Sequence, residues 1–216
     1  MKKVLPLFIF LLTASTASAY NPIVVQPQEQ YGVIAIEDDP YIEHHFLGTL
    51  EDYPEMFEFT TDVSVDLSVR VLQRDSGKAV PFGLIMVRQN EDDGGVSEVA
   101  RLNQPISEWV KVSDSVLGLD LLESARIEKS VSPGTYRVEV STPDNKGKYM
   151  LVVGDESKRT GFFRTLAHIY TIQRHLGYTP FHLLLSSYFY YPLGMLLVLY
   201  CAYRVWRYRK EKAYVS

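Results

Sequence analysis

A glutamate followed by two histidines, Glu43-His44-His45, is the part of this sequence best suited to chemistry. Imidazole and carboxylate groups together could bind a metal ion or act as general bases. Phe46 and Leu47 follow and indicate a β-strand, in which adjacent side chains point to opposite faces. His44 and His45 then cannot share an ion, and Glu43 with His45 alone does not complete a tetrahedral zinc site. The pattern therefore predicts no metal site but a partly exposed pair of strand residues.

The serines of the chain lack the surroundings of a catalytic nucleophile. The sequence has no Gly-x-Ser-x-Gly turn, its single cysteine is Cys201, and no glycine-rich phosphate loop follows a strand pattern. A hydrolytic reaction would need His44 or His45 as its base, and the rest of a catalytic site is not recognisable. We therefore expect that the protein is not an enzyme.

Pairs of oxygen-bearing side chains occur in predicted turns, at Asp38-Asp39, Asp92-Asp93 and Asp144-Asn145. Carboxylate and amide oxygens are the ligands that calcium prefers, but six or more of them would have to converge from separate loops. The sequence predicts no cofactor, and calcium binding stays an open alternative. Trp109 has two interpretations as well: an exposed platform for a sugar, or a core residue with a hydrogen-bonded N–H.

The two parts of the chain carry opposite charge. Residues 20–158 contain 25 acidic and 12 basic side chains, a net charge of −13, and residues 159–216 contain 8 basic and 1 acidic, a net charge of +7. Nucleic acids and polyanionic glycans are recognised by Lys and Arg patches, so the acidic part argues against nucleic acid as a partner. The basic tail at the end of the second part suits the anionic inner leaflet of a membrane.

The first 19 residues have the three regions of a secretory signal peptide. Lys2 and Lys3 are followed by the apolar run Val4 to Leu12 and by the small-residue sequence Ala17-Ser18-Ala19. The mature chain would begin at Tyr20, outside the cytoplasm. Its exported part contains no cysteine and no Asn-x-Ser/Thr acceptor, which favours a bacterial exported protein.

Residues 181–206 predict one transmembrane helix. Leu183 to Tyr203 carry no formal charge, and at about 1.5 Å per residue they can cross a hydrocarbon core of roughly 30 Å. Residues 207–216 form a basic tail, which places the C-terminus in the cytoplasm and the N-terminal domain outside. The protein would therefore be a single-pass protein of the plasma membrane. The expected cytoplasmic anchor is formed by Arg204, Arg207, Arg209, Lys210 and Lys212.

Residues 157–177 predict an amphipathic juxtamembrane helix, capped by Thr160 or Ser157 and ended by Gly177. Its apolar face would lie in the membrane interface, or else dock on the preceding domain. Tyrosines at the start of the span favour an aromatic belt, with a helix–helix contact surface as the alternative. The residues expected at the membrane interface are Phe162, Phe163, Leu166, Tyr170, Tyr188, Tyr190, Tyr191 and Trp206.

Residues 20–155 predict a single mainly β domain, an antiparallel β-sandwich. Apolar and polar side chains alternate from Val65 to Val71, at Phe57 and Phe59, and from Tyr136 to Val140, which indicates half-buried strands. Two continuous apolar runs, Leu84 to Val87 and Tyr149 to Val153, predict central strands buried on both faces. Turn residues separate these runs at short intervals, as in sandwiches and barrels. The stretch from Ser113 to Ile127 predicts a loop with one short strand.

The last two strand patterns carry a resemblance to a known family. Ser132 to Ser141, with Gly-Thr-Tyr, and Asn145 to Gly154, with Gly-Lys-Tyr-Met-Leu-Val-Val, resemble the closing hairpin of bacterial pre-peptidase C-terminal modules. Upstream, Phe46-Leu-Gly-Thr-Leu and Met56-Phe-Glu-Phe-Thr resemble the opening strands of that family. The resemblance spans residues 41–154 and implies a non-catalytic, jelly-roll-like accessory module.

These observations predict a membrane-anchored, extracytoplasmic module that binds or scaffolds and is not catalytic. Its partners would be the lipid bilayer and another exported or membrane protein, or a surface polymer. The alternative is an accessory subunit of a larger membrane complex, which uses the tyrosine-rich transmembrane helix as its contact surface.

Overall fold

The computed structural model describes residues 20–26, 29–30, 32–90, 94–157 and 160–213. The predicted leader at 1–19 and the turn residues Asp92 and Asp93 lie outside these ranges. The strands of the described part are β1 (Pro22–Val24), β2 (Val33–Ala35), β3 (His44–Glu51), β4 (Glu55–Thr61), β5 (Val65–Arg74), β6 (Gly83–Gln89), β7 (Val96–Asn103), β8 (Val110–Asp114), β9 (Leu119–Glu123), β10 (Ile127–Val131), β11 (Gly134–Ser141) and β12 (Lys146–Val153). Its helices are α1 (Phe162–His175), α2 (Ser187–Ala213) and the 3-10 helices Ile106–Glu108 and Pro180–Leu185.

The strands form two sheets packed face to face, so the predicted mainly β sandwich is confirmed. The first sheet has the order β1-β3-β12-β5-β9-β8, with β10 also paired to β5, and the second has the order β2-β4-β11-β6-β7. Both sheets are mixed, because β1 runs parallel to β3 and β2 runs parallel to β4. The prediction that all strands pair antiparallel was therefore wrong for β1 and β2. The N-terminal chain passes from the first sheet to the second before β3, and such a crossover, unlike a hairpin, leaves β1 and β3 parallel.

The main core lies between the two sheets, where the predicted alternation holds. Phe57 and Phe59 of β4 are buried, and Phe59 stacks on Tyr136 of β11 with ring centroids 5.4 Å apart. Phe46 of β3 meets Phe57 from the opposite sheet at 5.1 Å. Burial of each such side chain contributes about 1.5 to 3 kcal/mol. Trp109 belongs to this core, since it is buried and its indole N–H donates to the Gln104 carbonyl at 3.3 Å.

The two continuous apolar runs have different environments. β12 is buried on both faces, as predicted, because Tyr149, Leu151 and Val153 point into the main core and Met150 and Val152 point to the outer side of the first sheet. β6 is not, because its side chains alternate between buried and partly exposed positions. The second sheet has no layer on its outer side among the described elements, whereas the first sheet is covered there by α1.

The stretch from Ser113 to Ile127 forms more strand than the sequence predicted. β8 and β9 make a hairpin in which Val112 pairs with Leu121 and Asp114 pairs with Leu119. Asp114 closes the turn, because its carboxylate accepts hydrogen bonds at 2.9 Å from the N–H groups of Val116 and Leu117. The period-two pattern is hidden here because leucines of β9 are buried on both faces.

α1 packs on the outer face of the first sheet and forms a second core. Its Ile169 and Ile172 are fully buried against Leu47 of β3, Leu72 of β5 and Met150 of β12. Of the two predicted interpretations, the docked helix is the one that the structure shows. The helix ends at His175, two residues before Gly177, which was predicted to end it and has a φ of +80°. At its start the N-cap residue is Gly161 and no side-chain cap hydrogen bond forms, so capping by Thr160 or Ser157 was wrong.

After α1 the chain turns through the 3-10 helix Pro180–Leu185 and enters α2 at Ser187. Within the predicted span from residue 181, the first residues form this 3-10 helix, of which Leu183 packs against the second core. In the described part of the chain, no helix combines the length and the mean hydropathy of a membrane-crossing segment.

Candidate functional site

The start of α2 is fixed to the sandwich by the turn between β8 and β9. The Ser186 hydroxyl donates to the Val116 carbonyl at 2.5 Å, and the backbone N–H of Ser187 donates to the Ser115 carbonyl at 2.8 Å. Tyr188 is only 7% exposed and stacks on Phe162 of α1, with ring centroids 5.4 Å apart. The first turn of α2 is thus part of the folded domain.

The residues predicted for the membrane interface separate into two groups. Tyr188, Phe162 and Leu166 pack in or against the second core and contact protein. α1 buries Thr165 and Gln173 beside its isoleucines, so its buried face is turned away from Phe163 and Tyr170. The members that remain on the surface are Phe163, Tyr170, Tyr190, Tyr191 and Trp206.

Further apolar side chains lie at the surface near the base of α2. Phe163 is 82% exposed and Phe181 is 78% exposed, and Leu184 and Leu185 of the 3-10 helix are also exposed. We call these four residues the apolar collar. Large apolar side chains that share an exposed patch mark contact with a protein or a membrane.

The rest of α2 has little contact with the sandwich. Most of its large apolar side chains from Leu193 to Tyr208 are exposed, and Lys210 lies over the Trp206 ring at 4.4 Å from the centroid. Of the predicted cytoplasmic anchor, Arg204, Arg207 and Lys210 are exposed on this helix. The side chains of Arg209 and Lys212 lie outside the described part of the structure.

His44 and His45 are fully buried, so the expectation of a partly exposed pair was wrong. β1 covers them: the Asn21 carbonyl accepts from the His45 N–H at 3.1 Å, and the Tyr20 ring meets the His45 ring edge-on at 4.8 Å. The two imidazoles face different carboxylates, His44 towards Asp38 at 3.9 Å and His45 towards Glu43 at 3.5 Å.

Burial, reinforced by the Arg70 guanidinium, lowers the pKa of His45 to about 3. A neutral, enclosed imidazole of this kind is poorly placed to take a proton from a substrate. In the described ranges, no group of three or more His, Cys, Asp or Glu side chains is arranged to hold a metal ion.

The buried state of His45 predicts that acid destabilises the fold. Unfolded His45 binds a proton below its usual pKa of about 6.5, whereas folded His45 stays neutral down to about 3. The free energy of unfolding should therefore fall by about 2 kcal/mol between pH 6.5 and pH 5, at about 1.4 kcal/mol per pH unit. Urea unfolding followed by Trp109 fluorescence measures it. His45→Asn, which keeps an acceptor for the Asn21 N–H, should show a shallower slope, and equal slopes would contradict the assignment.

Arg70 of β5 organises a charged cluster that the sequence did not reveal. Its guanidinium contacts Glu43 at 3.2 Å, Glu123 at 3.4 Å and Asp155 at 3.5 Å. Arg126 joins from the side, at 3.2 Å from Glu123. Burial raises the pKa of Glu43, and the neighbouring Arg70 opposes that rise. We call these five residues the Arg70 cluster.

No family model matches the chain. No curated protein matches it either. Among solved structures, the chain is similar to the pre-peptidase C-terminal domain of a Bacillus anthracis collagenase, with 12% identity over 60% of this chain and 98% of that domain and a TM-score of 0.37. It is also similar to the Yersinia pseudotuberculosis-derived mitogen (11% identity over 55% of this chain and 89% of that one, TM-score 0.34). A third similarity is to Aeromonas hydrophila PliG, a periplasmic inhibitor of g-type lysozyme (6% identity over 62% and 97%, TM-score 0.34). At these values the likeness assigns the chain to no family.

Proposed function

We propose that this protein is a membrane-anchored, extracytoplasmic binding or scaffolding module without catalytic activity. The observation that carries the proposal is α2, whose apolar side chains are exposed along most of its length while its first turn is fixed to the sandwich. Exposed apolar side chains in such number need a cover of lipid or of other protein. In the proposal that cover is the bilayer.

Two further features support a bilayer at this position. The apolar collar lies on α1 and on the 3-10 helix just before α2, where a membrane surface would meet the sandwich. The far end of α2 carries Arg204, Arg207 and Lys210, and basic side chains next to a span favour the cytoplasmic side. The sandwich would then stand outside the cytoplasm, with the collar in the headgroup region.

The anchor is tested by extraction of membranes from bacteria that express the full chain. We expect the protein to stay in the membrane pellet after high salt and after alkaline carbonate, and a chain that ends after Ser186 to be released. Recovery of the full chain in the carbonate supernatant would overturn the anchor.

The orientation is tested by cysteine labelling in a Cys201→Ser background. Ser64→Cys, at an exposed position on the sandwich, should react with a membrane-impermeant maleimide in intact spheroplasts. A cysteine appended after Ser216 should react only after permeabilisation, and the reverse pattern would contradict the proposed topology.

A second candidate function is an accessory subunit of a larger membrane complex. It is favoured by the exposed ring pair of Tyr190 and Tyr191, whose centroids are 4.5 Å apart, at the outer end of α2. Replacement of residues 190–203 by leucines separates the two functions. A tether should keep its co-purified partners after this change, whereas a subunit that binds through α2 should lose them.

A further inference from the structure

A polar cavity of about 410 Å³ lies between β5 and β10, beside the Arg70 cluster. Ser68 of β5 is directly opposite Glu128 of β10, and Asp66 is opposite Ser130. Directly opposed residues on neighbouring strands have their side chains on the same face. This pairing brings two carboxylates and two hydroxyls to one wall of the cavity.

The other wall is formed where the chain leaves β12. Gly154 has a φ of +85°, and a Cβ there would lie 2.3 Å from the Ile42 carbonyl oxygen, so only glycine fits. Its N–H donates to the Ser68 carbonyl at 2.9 Å, and the next N–H, of Asp155, donates to the Tyr41 carbonyl at 3.1 Å. These bonds hold Asp155 at the cavity rim, where Arg70 and Arg126 contact its carboxylate.

Ser68 is the feature that points to a ligand. The residue is only 3% exposed and lines the cavity, and its hydroxyl has no hydrogen-bond partner in the described part of the chain. Burial of a hydroxyl without a hydrogen-bond partner is unfavourable, because its interactions with water are lost and not replaced. A bound group that reaches Ser68 would recover this cost.

The charge of the cavity selects the kind of ligand. Asp66, Glu128 and Asp155 line it together with one cation, Lys129. Neither Asp66 nor Glu128 forms an ion pair with a residue that the structure describes; the Ser130 hydroxyl donates to Asp66. Asp155 is already paired with Arg70 and Arg126, so the cavity presents the unpaired carboxylates of Asp66 and Glu128 beside the buried Ser68 hydroxyl.

We propose that this cavity binds an aliphatic primary ammonium group, such as a lysine side chain or a small diamine. An ammonium is a compact cation with three donors, which suits one buried hydroxyl acceptor and the two unpaired carboxylates beside it. Among the residues that the structure describes, none of those lining the cavity is an aromatic that could stack on a sugar. The inference rests on the proposed role as a binding module, but not on the membrane anchor. The membrane extraction therefore tests the anchor alone, and the ligand titration tests the cavity alone.

The test is isothermal titration of the full chain in a nonionic detergent at low salt. The probe is Nα-acetyl-lysine methylamide, for which we expect a Kd on the order of 1 mM, with Nε-acetylation weakening binding about tenfold or more. Ser68→Ala should weaken binding by about tenfold, because a hydrogen bond to a charged group is lost. Asp66→Asn and Glu128→Gln, both at exposed positions, serve as further variants. Glu51→Gln is the control, because Glu51 is an exposed carboxylate at the end of β3 and does not line the cavity; this variant should bind as wild type does.

Three outcomes would overturn the proposal: no heat with the lysine probe, equal binding by the Nε-acetylated probe, or wild-type affinity in both Ser68→Ala and Asp66→Asn. If CaCl2 displaces the probe from the wild-type protein but not from Ser68→Ala, the cavity binds a metal ion and the proposal is overturned.

A titration with 1,5-diaminopentane separates the two sources of the ammonium. Binding as tight as that of the lysine probe indicates a free amine, and weaker binding indicates a protein side chain.

Discussion

Replacement of Arg70 by methionine should lower the free energy of unfolding by about 3 kcal/mol, because it leaves the largely buried Glu43 carboxylate without its cation and Glu123 with Arg126 alone. The Arg70 side chain is 13% exposed, and those of Glu43 and Glu123 are 17% and 14% exposed. Methionine fills a similar volume, so the loss reports the unpaired charge and not a cavity. Urea unfolding of the detergent-solubilised chain, followed by Trp109 fluorescence in a Trp206→Phe background, measures it.

The difference in the free energy of unfolding between wild type and Arg70→Met should also depend on pH. Burial already raises the pKa of Glu43, and removal of Arg70 removes the main group that opposes this rise. A folded-state pKa above the unfolded value means that folding is favoured by protonation, so the deficit relative to wild type should shrink from pH 7.5 to pH 5. Arg101→Met is the matched control. Arg101 contacts Glu98 at 2.6 Å, but both are about half exposed, and such pairs contribute at most about 1 kcal/mol. A similar loss in both variants would contradict the role given to the Arg70 cluster.

The Arg70 cluster also shows why sequence patterns find folds more readily than sites. Glu43, Arg70, Glu123 and Asp155 come from four distant segments, and only the order of β3, β12, β5 and β9 in the first sheet brings them together. Each of these residues alone looks like an ordinary solvated charge. Alternation, by contrast, is written into consecutive residues, which is why β4, β5 and β11 could be predicted from the sequence.

The histidine pair shows that local strand geometry predicts the direction of a side chain but not its burial. Strand geometry predicted that His44 and His45 could not share an ion, and in the structure they face different carboxylates. Their burial could not be predicted in the same way, because it depends on β1, a three-residue strand that pairs with β3 from outside the local pattern. The covering strand also explains why His45 stays neutral.

The apolar side chains of residues 160–190 show a similar limit. Hydropathy identifies side chains that avoid water, but it does not say whether lipid or a sheet covers them. Here the most buried positions of α1 include the polar Gln173, whose amide donates to the Leu117 carbonyl at 2.6 Å. A pattern that counts only apolar residues therefore places the buried face at the wrong angle.

Replacement of Ile172 by alanine should lower the free energy of unfolding by about 2 to 5 kcal/mol, the range for a buried large-to-small change. Ile172 is fully buried in the second core, between α1 and the outer face of the first sheet. Loss of this packing would also expose Leu47, Met150 and Val152, which α1 covers. The sandwich and α1 should unfold in one transition, which can be followed by urea titration with Trp109 fluorescence and circular dichroism.

Phe163→Ala is the matched control on the same helix, because Phe163 is 82% exposed. It should change the free energy of unfolding by less than about 0.5 kcal/mol. If α1 instead lay in the membrane interface with its predicted apolar face, the ranking would reverse: Phe163→Ala would weaken membrane attachment of a chain ending at Ser186, and Ile172→Ala would not affect folding. The two variants thus separate a helix that completes the sandwich from one that only adheres to lipid. They also fix the smallest unit for binding studies, since a domain cut before α1 would lose its second core.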